Sequence, residues 1–162
     1  MATYNESRCA RLAKYGLSVS RDADMLPQDS TCPLFNVVGG RVAITQIIGE
    51  VTVVIETQAN NTKLTANPTG GSAVDLCGAN NISADAVGTL YGITGTVGNA
   101  MVASNGALVP QAAEIIVGEG TIDLDCAAEN TGEIKWTIYY IALDDGAYVE
   151  AASPYTTTTS GP

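Results

Sequence analysis

The sequence predicts an all-β fold, an antiparallel β-sandwich or jelly-roll-like body, from three observations. Apolar residues make up 46% of the 162 residues, and they are mainly Ala, Val, Ile and Leu, a set that suits packed strands. Short apolar runs recur along the chain and are separated by turn-forming Gly, Asn and Asp. Two of the longer runs carry large apolar residues at every second position over part of their length. A chain of this length suits a single domain with a sizeable core.

Composition shifts divide the chain into an N-terminal arm (1–31), a β-sandwich body (32–152) and a Thr-rich C-terminal tail (153–162). Within the arm, residues 5–15 have a capping Asn5 and are followed by Gly16, which predicts a short helix. Residues 17–31 are polar and irregular, which predicts an extended linker. The tail is of low complexity and is predicted to be flexible or extended, with no core of its own.

Nine short runs in the body are predicted to be strands, and no internal repeat of 20–50 residues suggests a propeller or solenoid. Residues 95–113 have weak periodicity and small side chains, which predicts a long loop with room for one short strand. Gly39-Gly40, Gly49 and Asp144-Asp-Gly146 are predicted turns, the last one in a hairpin. The predicted strand runs are 34–38, 41–48, 50–58, 62–66, 73–77, 89–94, 114–117, 121–126 and 133–143.

The alternating runs also predict which side chains point inward. In residues 50–58 the apolar residues Val51, Val53 and Ile55 stand two positions apart, and residues 133–143 repeat the pattern around the single tryptophan. Side chains two positions apart on a strand share one face. The predicted inward residues are Val51, Val53, Ile55, Ile122, Leu124, Ile134, Trp136, Ile138 and Tyr140.

Charge is distributed unevenly along the chain, whose net charge is −10. Residues 1–21 hold four basic residues and one acidic residue, a net charge of +3, whereas the remainder holds three basic and sixteen acidic residues, a net charge of −13. So acidic a body repels phosphate backbones, and we expect no nucleic-acid partner.

Neither a signal peptide nor a membrane partner is expected. No charged segment followed by an apolar stretch opens the chain, and no apolar run approaches the ~20 residues of a membrane span. The four cysteines are widely spaced, with no CxxC pair. We expect them to be reduced and mostly buried, and one or two disulfides are the alternative.

The chain contains no histidine, which removes the usual acid–base residue and the base of most nucleophilic triads. We therefore expect no enzymatic activity and no cofactor; the glycines form no phosphate-binding motif. Asp123 and Asp125 stand two residues apart on a predicted strand. They are weak candidates for a cation site or a sugar-cleaving pair. The simpler interpretation is a solvated strand face opposite buried Ile122 and Leu124.

The basic arm is the predicted partner-binding region. Its cations recur at near-helical spacing and stand beside aromatic and apolar residues, a combination that can dock on an acidic protein surface. The equally simple alternative is a solvated helix face that caps the protein's own body. The candidate residues are Tyr4, Arg8, Arg11, Leu12, Lys14, Tyr15 and Arg21.

Several segments resemble a group of small virion proteins of tailed bacteriophages. The resemblance begins at Pro33-Leu-Phe-Asn-Val-Val-Gly-Gly-Arg-Val and continues through Thr62-Lys-Leu-Thr-Ala-Asn-Pro, Gly88-Thr-Leu-Tyr-Gly-Ile-Thr-Gly and Ile134-Lys-Trp-Thr-Ile-Tyr-Tyr-Ile-Ala-Leu. It covers about residues 33–150 and leaves out both the arm and the tail.

The resemblance implies a decoration or cement protein that binds the major capsid protein on the capsid surface of a virion assembled in the host cytoplasm. It also implies a homotrimer at a symmetry axis of the shell. It offers no catalytic residues. The alternative is a tail-, baseplate- or fibre-associated module whose loops bind a receptor or carbohydrate. Because no trimerising stalk of repeats is visible, the sequence favours decoration.

Overall fold

One helix, α1 (Tyr4–Tyr15), precedes twelve strands in the computed structural model, which describes residues 4–28 and 30–155, with side chains from Ser7 onward. The strands are β1 (Leu17–Met25), β2 (Thr31–Val38), β3 (Val42–Val53), β4 (Asn61–Pro68), β5 (Val74–Asp75), β6 (Asn80–Asn81), β7 (Thr89–Gly92), β8 (Val102–Asn105), β9 (Ile115–Val117), β10 (Gly120–Cys126), β11 (Glu133–Ala142) and β12 (Tyr148–Ala151).

The strands form two antiparallel sheets that pack face to face, which confirms the predicted β-sandwich. The first sheet has the order β1-β11-β3-β7-β8, and β9 also pairs with β3. The second has the order β12-β2-β10-β4-β5, and β6 also pairs with β4. An isolated parallel bridge joins Gly78 to Ala100.

Eight of the nine predicted inward residues are buried: Val51, Ile55, Ile122, Leu124, Ile134, Trp136, Ile138 and Tyr140. The prediction for Val53 is wrong, because its side chain is 45% exposed. Val51 pairs with Ile134 whereas Val53 pairs with the adjacent Glu133, so Thr52 is an extra residue at a β-bulge. A bulge shifts the alternation by one position, and Val53 then points outward.

Gly49, which the sequence predicts to be a turn, lies inside β3 and pairs with Trp136. A Cβ atom added at Gly49 would stand 2.7 Å from the indole ring, so the absence of a side chain makes room for the largest core residue. The indole also stacks on Tyr91, which pairs with Gly49 from the neighbouring strand β7, with ring centroids 6.2 Å apart. Tyr91 donates its hydroxyl to Asp85 Oδ2 at 2.6 Å. Because Gly49 lies inside a strand and forms no turn, the predicted strand runs 41–48 and 50–58 are joined in the single long strand β3.

Two further predictions need correction, and a third agrees with the structure. Residues 17–25, predicted as part of a linker, form β1 and pair along β11. Beyond the predicted turn at Asp144–Gly146 lies an unpredicted strand, β12, in the second sheet, so this turn joins the two sheets and closes no hairpin. In residues 95–113 the structure places the one short strand expected there, β8.

Candidate docking site at the N-terminal helix

Helix α1 stands clear of the sandwich. The side chains of residues 7–14 are all exposed, and only the last turn is tied to the first sheet. There Thr45 donates its hydroxyl to the carbonyl oxygen of Tyr15 at 2.6 Å, and the Tyr15 ring packs on Tyr139 with centroids 5.5 Å apart. The helix is thus held at its C-terminal end and presents the side chains of residues 7–14 to solvent.

Gly16 ends the helix as the sequence predicts. Its N–H donates to the carbonyl oxygen of Leu12 at 2.9 Å, and its φ is +83°. This left-handed conformation favours glycine at a helix C-terminus. A Cβ atom here would also collide with the backbone carbonyl of Tyr140. Gly16 therefore lets the chain turn at once from α1 into β1, which fixes the direction of the arm relative to the sheet.

An apolar cleft of about 230 Å³ opens beside the base of α1 on the outer face of the first sheet. Tyr15 and Tyr139 form one side of it, and a loop that crosses β3 and β7 forms the other. The lining residues are Tyr15, Gln46, Ile48, Leu108, Pro110 and Tyr139. Such a cleft can take an apolar or aromatic side chain of a partner.

Glutamine side chains hold the crossing loop in place. Gln46, which is 4% exposed, accepts the Gln111 N–H at its Oε1 atom at 2.6 Å. Gln111 in turn donates its Nε2 to the carbonyl oxygens of Ile44 at 3.0 Å and Ala113 at 2.7 Å. Leu108 lies across Gly92, where a Cβ atom would stand 2.8 Å from the leucine side chain. The cleft is therefore built by tertiary contacts that hold its apolar wall rigid.

Of the predicted partner-binding residues, five lie on α1 with described side chains. Arg8, Arg11, Leu12 and Tyr15 occupy positions i, i+3, i+4 and i+7, so they project from one face of the helix. The Nζ atom of Lys14 lies 5.1 Å from the centre of the Tyr15 ring. Leu12 is 40% exposed. The side chain of Tyr4 lies outside the described residues.

Arg21, also predicted to bind a partner, is instead buried inside the protein at 5% exposure. It projects from the inner face of β1 and forms an ion pair with Asp24 at 2.7 Å. Its guanidinium donates to the carbonyl oxygen of Ser153 at 3.2 Å, and Asp24 accepts the N–H of Tyr155 at 2.6 Å. Arg21 therefore clamps β1 to the segment that follows β12 and is separate from the exposed cations of α1.

The two weak cation-site candidates differ from each other in environment. Asp123 is 4% exposed, in contrast to the expected solvated face, because β10 is flanked by β2 and β4 and a register shift against β2 falls between Ile122 and Asp123. Burial raises the pKa of this carboxyl, whose Oδ1 atom has no hydrogen-bond partner among the described residues. Asp125 lies 4.0 Å from the Lys63 ammonium. Among residues 4–28 and 30–155, no three His, Cys, Asp or Glu side chains stand where they could hold a metal ion.

All four cysteines are free in the structure; Cys9 is exposed, and Cys32, Cys77 and Cys126 are buried. Burial raises the pKa of each of these three thiols, in the case of Cys126 to about 11. Buried neutral thiols pack as small apolar groups.

Sequence reasoning found the helix but missed most of the cleft. Gln46, Ile48, Leu108, Pro110 and Tyr139 come from three separate segments, and nothing in their local patterns marks them as neighbours. The one available signal was Tyr139, which stands at an outward position of the alternating run in β11.

No helix in the described part of the chain is both long and apolar enough to span a membrane. Comparison of the chain with protein-family models, with curated proteins and with solved structures gives no match.

Proposed function

We propose that this chain is a non-enzymatic structural protein that attaches to a larger assembly through α1, and that the assembly is the outer surface of a bacteriophage capsid. The observation that carries the proposal is the exposure of the whole described length of α1 beyond its last turn. A helix of twelve residues is marginal in water when it packs against nothing. A partner surface would supply the packing that the body does not.

The charges on α1 and the spacing of its apolar residues indicate what kind of surface the partner has. Arg8, Arg11 and Lys14 form no ion pair within the described part of the chain, so they are available to an acidic surface. Leu12 and Tyr15 share the face of the two arginines, at the spacing used by helices that bind in grooves. The acidic body is repelled by the same surface, which orients the protein with its arm toward the partner. The resemblance to phage virion proteins implies that this partner is the major capsid protein. It also implies that the chain forms a homotrimer and is located on the virion surface.

The alternative function, a tail- or fibre-associated module that binds a receptor or carbohydrate, would use a polar cleft at the opposite end of the sandwich. The described residues that line this cleft are Gln28, Glu56, Gln58, Ala127, Ala128, Glu129 and Thr131. None of them carries an aromatic ring on which a sugar could stack. The polar cleft therefore adds little support to this alternative.

The test is occupancy of purified capsids assembled without this chain. Replacing Arg8, Arg11 and Lys14 by Gln should lower the affinity roughly tenfold at low salt and much less at high salt, because each exposed ion pair contributes at most about 1 kcal/mol. Leu12→Ser should weaken binding at every salt concentration. The matched control is Lys135→Gln, an exposed cation on the body, which should leave binding unchanged.

Deleting residues 1–15 should abolish occupancy and leave the melting temperature of the body close to that of the full chain, because β1 and Arg21 remain. In the full chain, hydrogen exchange at the α1 amides should be fast in the free protein and slow on the capsid. Unchanged occupancy after the deletion would overturn the proposal.

A further inference from the structure

The lateral edge of the sandwich formed by β5 and β9, here named the open edge, carries an apolar groove of about 180 Å³. Three of the most exposed apolar side chains of the protein stand around it: Val74 at 57%, Val97 at 49% and Ile116 at 65% exposure. The groove continues inward to Ala66 and Ile115, which pack against the core. The groove is thus a gap between the two sheets, and its walls are mainly apolar.

The strands that border this groove have one free side each. β5 pairs with β4 and β9 pairs with β3. On their other sides, no backbone hydrogen bond from either strand reaches another segment among the residues that the structure describes. Unpaired N–H and C=O groups beside an apolar groove are the setting in which an extended peptide adds to a sheet.

We propose that the open edge binds the Thr-rich C-terminal segment, residues 156–162, of a second copy of the chain as an added strand. This segment reads Thr-Thr-Thr-Thr-Ser-Gly-Pro. Thr is β-branched and favours the extended conformation. Its methyl group can pack on the valines of the groove, and its hydroxyl can reach Asp75 and Thr121 at the rim.

The position of Tyr155 requires a second copy. The backbone N–H of Tyr155 is held by Asp24 of β1, and its hydroxyl accepts the N–H of Gln28 at 3.3 Å. In the second sheet, β12 and β5 are the two outermost strands, with three strands between them. Four strand spacings amount to about 19 Å, whereas seven residues extend over at most about 25 Å. After crossing the second sheet, this segment would have almost no length left to pair with β5 of its own chain.

Charge also favours this occupant. Outside residues 1–21 the chain has a net charge of −13, so two bodies repel each other at close approach. Residues 156–162 carry no charged side chain. They can therefore enter beside Asp75 without adding a charged side chain to the contact.

In each copy the C-terminal segment then leaves from the edge formed by β1 and β12, and the groove that receives a segment lies at the opposite edge. Every contact between copies is therefore head-to-tail. Such contacts close into a ring when the rotation between copies allows it. The groove contact follows from the edge alone, but its closure as a trimer rests on the proposed function. The inference names the contact that would hold that trimer together.

The first test is the mass of the isolated full chain in solution. We expect a multiple of 16.6 kDa, and we expect a fall to the monomer mass both when residues 156–162 are deleted and when Ile116 is replaced by Glu. Because Ile116 is exposed, Ile116→Glu should leave the melting temperature of the monomer nearly unchanged. The matched control is Val87→Glu, which changes a valine of 59% exposure away from the groove and should keep the native mass.

The second test mixes the two monomeric variants. The tail-deleted chain keeps the groove, and Ile116→Glu keeps the tail, so the mixture should form a 1:1 dimer of defined mass. A peptide of residues 155–162 should bind the tail-deleted chain and block this dimer. A control peptide in which the four Thr are replaced by Gly should fail to do so.

A monomeric full chain at high concentration would overturn the inference, and so would a tail-deleted chain that keeps the native mass. If Ile116→Glu lowered capsid occupancy while the full chain was monomeric, the groove would belong to a capsid segment, and the inference would also fail. None of these masses involves a capsid or α1, so failure here differs from failure of the proposed attachment.

Discussion

The two lateral edges of the sandwich differ in whether contacts within the chain cover them. At the edge formed by β1 and β12, the closed edge, a buried arginine bridges an acid on its own strand and a carbonyl from the segment after β12. At the open edge, valine and isoleucine side chains border a groove whose strands have free sides. The difference teaches that the chain supplies the partners of the closed edge itself, whereas no segment among the described residues pairs with the free sides of β5 and β9 at the open edge.

The largest expected effect comes from the core between the two edges. Trp136 is 1% exposed and packs on Gly49 and Tyr91, so Trp136→Ala should lower the free energy of unfolding by about 3–5 kcal/mol. Because the loss is global, slowly exchanging amides at both edges should speed up by the same factor. Denaturant unfolding and hydrogen exchange measure the two quantities. A change confined to one edge would show that the edges do not share one core.

Arg21→Ala should affect the closed edge most strongly. It removes a buried cation and leaves Asp24 without its ion-pair partner, at an expected cost of about 3 kcal/mol. Hydrogen exchange should accelerate first in β12 and at Tyr155, and the open edge should respond only through global unfolding. The control is Arg41→Ala at an exposed ion pair with Asp144, which should cost less. If the two variants lowered the free energy of unfolding equally, burial of the Arg21–Asp24 ion pair would not be what stabilises the closed edge.

The smallest effect concerns that exposed ion pair, which joins the start of β3 to the turn before β12. The hydrogen bonds from Arg41 lower the pKa of Asp144 from 3.8 to about 2. A depressed carboxyl pKa means that the contribution to stability is present above the unfolded value near 4 and is lost as pH falls toward 2. Asp144→Asn should therefore lower the melting temperature slightly at pH 7 and by clearly less at pH 2, where about half of the carboxyl groups are protonated. A difference as large at pH 2 as at pH 7 would be inconsistent with the ion pair as its source.

The fold class could be predicted because alternation and turn chemistry are local. Ile134, Trp136 and Ile138 mark one face of β11 without any knowledge of its neighbours. β1 could not be predicted, because its inward residues include Arg21, whose burial depends on Ser153 at the other end of the chain. Val53 failed for a similar reason, since the bulge that turns it outward depends on the register with β11.

In the candidate site, too, the part that depends on local sequence was predictable and the part that depends on contacts between distant segments was not. The helix was predictable from its stop signal at Gly16, whereas the predicted cap, Asn5, lies inside α1, which begins at Tyr4. The cleft beside the helix was not predictable, because the crossing loop is positioned by Gln46 and Gln111, two polar side chains whose pairing no local pattern reveals. Asp123 became buried because of the strands on either side of it, and sequence spacing does not encode those neighbours.

The pairing of β1 with β11 also sets an order of events during synthesis. Leu17 pairs with Tyr140 and Met25 with Glu133, so the strand that carries α1 waits for most of the chain to leave the ribosome before it can join a sheet. Contacts between such distant segments form late and slowly. The ring of Tyr139 and the carbonyl of Tyr140, against which the base of the arm is fixed, come from the same late segment. In a nascent chain the cationic segment therefore has no sheet to pack against, and the base of α1 is fixed only after β1 has paired with β11.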